Sequence, residues 1–158
     1  MSVDPRAFRD AMGCFATGIT VVTTTTRDGR PVGVTVNSFN SVSLDPPLVL
    51  FSLSLNATNL QEFLDAGRFT INILGAHQQE ISNGFSGTGS DFFQEIEFEL
   101  PEHGCPLVPE AIAGFECDME TTHQGGDHVI FLGRVRRVWS DPDSAPLLYY
   151  RGRYVQLA

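Results

Sequence analysis

The chain has 158 residues, 42% of them hydrophobic, and a formal charge of -9. Its ten basic residues are all Arg, so a Lys Schiff base, a catalytic Lys and a Walker-type phosphate lysine are excluded. The acidity also speaks against general binding to nucleic acid. Three Cys with no CxxC argue against a disulfide framework or a Cys-rich zinc site and for a reducing compartment. Cys14, Cys105 and Cys117 read as core residues. No apolar run reaches the roughly 18 residues of a membrane span, and the first ten residues lack a signal peptide's apolar core. The expectation is a soluble, cytoplasmic, single domain over residues 1–158, without a metal.

Asp4-Pro5 predicts a helix start, with a capping carboxylate and then proline at the first helical position. Phe8, Met12 and Phe15 share one face, expected to pack on something larger, and Gly18 is the expected stop. The β-branched run from residue 19 predicts a strand, and Asp28-Gly29 a hairpin turn. In the next strand Val32, Val34 and Val36 alternate with Gly33, Thr35 and Asn37. That second face is small and polar, with room for something flat. Asp45-Pro46-Pro47 breaks the chain before a strand over 48–55.

Thr58 and Gln61 read as a capping box opening a short helix that Gly67 ends. A strand over 68–74 follows, then a short helix and a Gly/Ser loop within 77–93. Further strands are expected near 95–100, 114–122 and 129–139, and strand-forming residues end the chain. Helices and strands do not alternate regularly. The pattern predicts a mainly β fold of about six to eight mostly antiparallel strands, with a few short peripheral helices, closed or nearly closed into a barrel.

No GxGxxG, GxSxG, HExxH or Walker motif is present. Four segments could carry chemistry. Thr35-Val36-Asn37-Ser38, with Ser41 and Ser43, suits the hydrogen-bonding edges of an aromatic heterocycle, or is the polar face of an ordinary strand. Ser52 to Asn59 runs into a helix N-terminus, a setting for phosphate, or simply caps that helix. Gly125-Gly126-Asp127-His128 allows a close backbone approach and offers an imidazole, or is a hairpin turn with an exposed His. A metal reading with His123 finds no third ligand. Tyr149 to Tyr154 offers Arg for pyrophosphate and Tyr for stacking, or is an edge strand or dimer interface. Segment 91–120 holds nine of the nineteen acids and no Arg, and reads as a solvated face. Residues 134–158 hold five Arg and two Asp, a basic end that would suit an anionic dinucleotide.

Together these segments resemble the short-chain flavin reductase family, the flavin-reductase-like, FMN-binding split-barrel proteins. The likeness is carried in order by FRDAMGCFATGITVVT (residues 8–23), GVTVNSFNSVSLDPPLVLFSLS (33–54), AGRFTINIL (66–74), FECDME (115–120), GDHVIFLGRV (126–135) and PLLYYRGRY (146–154). The resemblance implies a homodimeric split β-barrel with FMN or FAD at the subunit interface. NADH or NADPH would reduce the flavin by hydride transfer, and the reduced flavin would supply a separate monooxygenase. No nucleic-acid or membrane partner is implied.

Carried over by position, Thr35, Val36, Asn37 and Ser38 would line the isoalloxazine. Ser52, Leu53, Ser54, Asn56 and Thr58 would hold the ribityl phosphate. Phe85 and Ser86 would lie near the phosphate or adenosine part. Asp127 and His128, with Tyr150, Arg151, Gly152, Arg153 and Tyr154, would lie near the nicotinamide nucleotide, with His128 as the catalytic position that orients it. The stretches Gly84-Phe85-Ser86 and Asp91-Phe92-Phe93 depart from the family's pattern, which leaves FMN versus FAD open. Two other readings remain: an enzyme that retains its flavin and acts on a small organic substrate, and a non-catalytic flavin or haem module.

Overall fold

The computed structural model describes residues 3–87 and 90–158, without the side chains of Ser90 and Asp91. In chain order the elements are α1 (Pro5–Met12), β1 (Thr17–Gly18), β2 (Thr20–Thr25), β3 (Pro31–Val36), β4 (Asn40–Leu44) and β5 (Pro47–Ser54). Next come α2 (Leu60–Ala66), β6 (Arg68–Ile73), α3 (Gln79–Ser86) and a 3-10 turn (Ser90–Gln94). β7 (Ala113–Gly125), β8 (His128–Ser140), β9 (Leu148–Tyr150) and β10 (Arg153–Val155) complete the chain. Seven strands form one sheet in the order β3-β2-β6-β7-β8-β5-β4, and β1-β9-β10 form a second. Neighbouring strands pair antiparallel throughout.

The connection between the two edge strands bends the large sheet. β3 and β4 lie at opposite edges, yet three residues, Asn37 to Phe39, join them. Val36 and Asn40 can therefore be no more than about 14 Å apart. Seven flat strands would separate the edges by about 29 Å. The sheet must curl until its edges nearly meet, without pairing between β3 and β4. The result is a split barrel, with its seam at Asn37–Phe39.

The barrel interior is filled by alternate residues of its strands, among them Val22, Val32, Val49, Leu53, Ile71, Cys117 and Val129. Four Phe rings meet there. Phe51 stacks on Phe131 at 4.7 Å and meets Phe69 edge to face at 4.9 Å and Phe63 at 5.9 Å. All four are fully buried. A second core forms outside the barrel, where α3 and the 3-10 turn cover β2 and β3. It contains Ile19, Val21, Leu74, Phe85, Phe93, Val108 and Leu147. β2 is thus buried on both faces, which accounts for its unbroken run of β-branched residues.

Several expectations are corrected. α1 ends at Gly13 rather than Gly18, and Phe8, Met12 and Phe15 are exposed by 59, 55 and 70%. Among the described residues, no element covers that face. The Thr58–Gln61 capping box does not form. Asn59 takes the cap position of α2 and sends its amide to the Gly33 carbonyl, while Gln61 bonds Asp65. Gly67 does end the helix, in the left-handed conformation. Of the Gly/Ser loop after α3, Thr88 and Gly89 lie outside the described residues.

The segment 95–100 makes one isolated bridge, Glu99 to Leu107, instead of a strand. Its alternation is real, with Ile96 and Phe98 packed on the second core and Glu95, Glu97 and Glu99 exposed. The described residues form ten strands, the seven of the large sheet as expected and three short pieces of two and three residues in the small one.

Candidate functional site

The polar face of β3 does not lie open. A Cβ on Gly33 would fall 2.6 Å from the Phe85 ring, so the flat group seated on that face is Phe85 itself. Phe85 is 1% exposed and packs edge to face with Phe92 and Phe93, and has no surface left for a ligand. Thr35 turns the same way and donates to the Ser82 carbonyl at 2.7 Å. Val36 and Leu53 point into the barrel. Val36 and Leu53 could face a ligand only through main-chain groups, because strand alternation sends their side chains inward.

Asn37 and Ser38 do reach a cavity. A groove of about 770 Å³ lies at the seam, lined by Asn37, Ser38, Phe39 and Asn40 on one wall and by Tyr149, Arg151 and Gly152 on the other. Thr17 and Gly18 of β1, with Arg9, Met12 and Phe15 from the α1 end, complete it. The first and fourth sequence segments therefore meet across one space.

The second wall is shaped by a tight turn. Arg151 and Gly152 have φ of 49° and 77°, the pair of left-handed residues that a two-residue hairpin loop requires. Gly adopts this without cost, but Arg does not. Arg151 is tied down by its N–H to the Gly13 carbonyl at 3.0 Å, by Nη2 near Cys14 Sγ at 3.9 Å, and by its position 5.1 Å from the Tyr150 ring centroid. Arg153 is exposed. Tyr154 turns its hydroxyl away from the groove, toward Ser82 and Asn83 of α3.

Ser38 joins the seam to β5. Its Oγ donates to the Ser52 carbonyl at 3.1 Å and accepts from the Ser52 N–H at 2.9 Å. Two residues on, about 7 Å along the strand, Ser54 is opposite His128 in the β5–β8 register. The Leu55 N–H donates to the Asp127 carbonyl at 2.9 Å, and Ser54 Oγ accepts from the Asn56 N–H. Gly126, with φ of 66°, and Asp127 form the two-residue turn between β7 and β8. Asp127 Oδ1 lies 2.8 Å from His128 Nδ1, and this contact holds the Asp127 carboxyl below the ordinary carboxylate value. The second and third segments thus sit together at the strand ends, joined to the groove through the Ser38–Ser52 bonds and lining none of it themselves. Asn56 and Thr58 are exposed there, and Ser86 is exposed at the end of α3.

The basic end is smaller than the sequence suggests. Arg134 forks onto Glu120 at 2.7 and 2.8 Å, Arg136 bonds Asp118 at 2.6 Å, and Arg137 lies 3.5 Å from Glu116. The β7–β8 pairing sets these contacts, so three of the five C-terminal Arg neutralise part of the acidic segment. Glu116 is buried rather than solvated. A second cleft of about 540 Å³ is lined by Glu97, Glu99 and Glu110 with Phe98, Arg137 and Trp139, and its three carboxylates outnumber the one Arg, which Glu116 already engages, so the cleft disfavours a phosphate. Cys105 and Cys117 are buried, as expected, and burial pushes their thiols up to about 11 and about 12. Cys14 is instead exposed at the α1 end.

Sequence reading missed Phe15, Thr17 and Phe39 as groove residues, while Tyr149 lay within its fourth segment. Phe39 carried a signal, since it adjoins Asn37 and Ser38. Thr17 carried none, because a two-residue strand has no periodicity. Among the described residues, no group of three or more His, Cys, Asp and Glu is arranged to hold a metal ion. No helix among them is long and apolar enough to cross a membrane.

A groove with planar and apolar walls, amide and hydroxyl edges and an Arg at one wall has the chemistry that a flat, anionic heterocycle requires. Comparison with known proteins agrees with that class. A family model described as "Flavin reductase like domain" matches residues 12–158, and the chain belongs to this family. It is 46% identical to the "Probable flavin reductase" of Rhizobium meliloti (strain 1021) over 151 residues, 96% of this chain and 48% of that protein. The chain therefore spans about half the length of that relative. It is 39% identical to the "Flavin-dependent monooxygenase, reductase subunit HsaB" of Mycobacterium tuberculosis (strain CDC 1551 / Oshkosh), over 96% of this chain and 82% of that one. The solved structure of the Streptomyces globisporus C-1027 NADH:FAD oxidoreductase SgcE6 superposes with a TM-score of 0.92 at 36% identity, covering 100% of this chain and 97% of that one. SgcE6 has also been solved in complex with NAD and FAD fragments.

Proposed function

We propose that this chain reduces free FMN or FAD with NADH or NADPH, as a homodimer, and supplies the reduced flavin to a separate flavin-dependent monooxygenase. One observation carries the reading: Asn37–Asn40 and Tyr149–Gly152 converge on a groove of about 770 Å³, in a chain of the flavin reductase family. That volume is within the range of small-ligand sites. The names of the relatives support the redox partners and the monooxygenase.

The residues present fit a flavin. Thr17 Oγ1 is buried in the groove wall without a hydrogen-bond partner, so a ligand edge could supply one. A bound flavin supplies a hydride acceptor and the nicotinamide supplies the hydride. Asn37, Ser38 and Asn40 present amide, hydroxyl and main-chain groups to the edges of the heterocycle. Phe15, Phe39 and Tyr149 flank it and exclude water. Arg151 holds an anionic phosphate, and Arg9 adds charge at the rim. His128, steadied by Asp127 and rooted beside Ser54, orients the nicotinamide rather than giving up a proton. The protein's work is alignment, a proximity effect. The exposed face of Phe8, Met12 and Phe15 borders the groove, and a second copy covering it would close the site.

The test is steady-state oxidation of NADH and NADPH with FMN and FAD in all four pairs. Turnover of at least one free flavin is expected. Stoichiometric flavin in the purified protein without free-flavin turnover would instead mean a retained cofactor. A Soret band, or no oxidation with any pair, would overturn the assignment.

A further inference from the structure

We infer that Ser82 and Tyr154 are positioning residues that set the separation of the two walls of the groove. The inference rests on that groove being the flavin site proposed above. Its walls belong to different sheets, Asn37 following β3 of the large one and Tyr149–Gly152 lying in and after β9 of the small one. α3 touches both. The Ser82 carbonyl accepts from Thr35 Oγ1 at 2.7 Å, and Thr35 lies two residues before Asn37. The Ser82 hydroxyl lies 2.7 Å from that of Tyr154. Tyr154 donates onward to Asn83 Oδ1 at 2.9 Å, so Ser82 Oγ is the donor to Tyr154.

Tyr154 is opposite Tyr149 in the β9–β10 register, with rings edge to face at 5.5 Å. Its hydroxyl therefore anchors the wall that Tyr149 forms. One fully buried residue thus joins both walls, through its main chain on one side and its side chain on the other. Tyr154 acts through this anchor rather than by touching the nicotinamide nucleotide. Loss of the anchor lets the walls separate, which weakens capture of a flat ligand and leaves the reaction of a captured one unchanged.

The test compares Ser82→Ala, Tyr154→Phe and the double variant in the full chain. Thr24→Val serves as control, because it removes a part-buried hydrogen bond to the Arg68 carbonyl, which does not line the groove. Flavin affinity is read by quenching of FMN and FAD fluorescence, alongside KM and kcat. Each single variant is expected to raise the flavin Kd and KM about three- to tenfold, the effect of one neutral hydrogen bond, with kcat within about twofold. The double variant should match a single one, because both remove the same link. Thr24→Val should lower thermal stability and leave Kd unchanged. Wild-type binding that neither single variant weakens, or effects that multiply in the double variant, would overturn the inference alone. A wild-type chain that binds neither flavin would overturn the proposed function, and this inference with it.

Discussion

Replacing Phe51 with Ala is expected to cost about 3–5 kcal/mol of stability, the range for emptying a buried Phe site. Phe51 is fully buried on β5 and contacts three other buried rings, Phe63, Phe69 and Phe131. Those rings come from α2, β6 and β8, which meet inside a barrel that no backbone pairing closes at its seam. Loss of the central ring removes its burial and leaves a cavity that rigid strands cannot fill. Chemical denaturation should show the loss, and the melting temperature should fall by about 10 °C or more. Leu44→Ala is the control, since Leu44 is 96% exposed in the protomer. A loss below about 1 kcal/mol for Phe51→Ala would show that the barrel does not depend on this cluster.

Replacing Arg151 with Asn is expected to separate stability from binding. Asn accepts the left-handed φ of 49° better than Arg does, so the hairpin turn survives and the melting temperature should stay within about 3 °C. The groove meanwhile loses the cation at its far wall. Affinity for the phosphate-bearing ligands should fall roughly tenfold, as expected for a charge-assisted contact, with kcat little changed. The residual binding should also depend less on salt. Binding constants measured at two ionic strengths check both points. Unchanged affinity would mean that Arg151 serves the turn and its contacts with Gly13 and Cys14 rather than the ligand. The other C-terminal Arg on β8 cannot substitute, because Glu116, Asp118 and Glu120 hold Arg134, Arg136 and Arg137.

Local patterns were legible in the sequence where a single element decides them. The Asp28-Gly29 turn, the Gly67 stop and the alternation of β3 all depend on short-range sterics. The nature of the fold followed from many short strands without regular helices. The partner of each face was not legible. Gly33 and Thr35 read as space for a ligand, and Phe85, 52 residues later, fills that space. The stripe of Phe8, Met12 and Phe15 predicted burial, yet all three are exposed and no element among the described residues packs on them. Charge counts placed five Arg near the C-terminus, and only the β7–β8 register shows that three of them are occupied. Asn37 and Ser38 were found from residue type alone. Thr17 was not, because only the pairing of β1 with β9 brings it to Tyr149.

The seam groove, and not the acidic cleft around Trp139, is expected to receive the flavin. A crystal structure of the full chain soaked with FAD tests it most directly. Density for the heterocycle is expected between Asn37–Asn40 and Tyr149–Gly152, with a phosphate beside Arg151. Density confined to the cleft lined by Glu97, Glu99 and Trp139, or on the outer face of α3, would contradict the account.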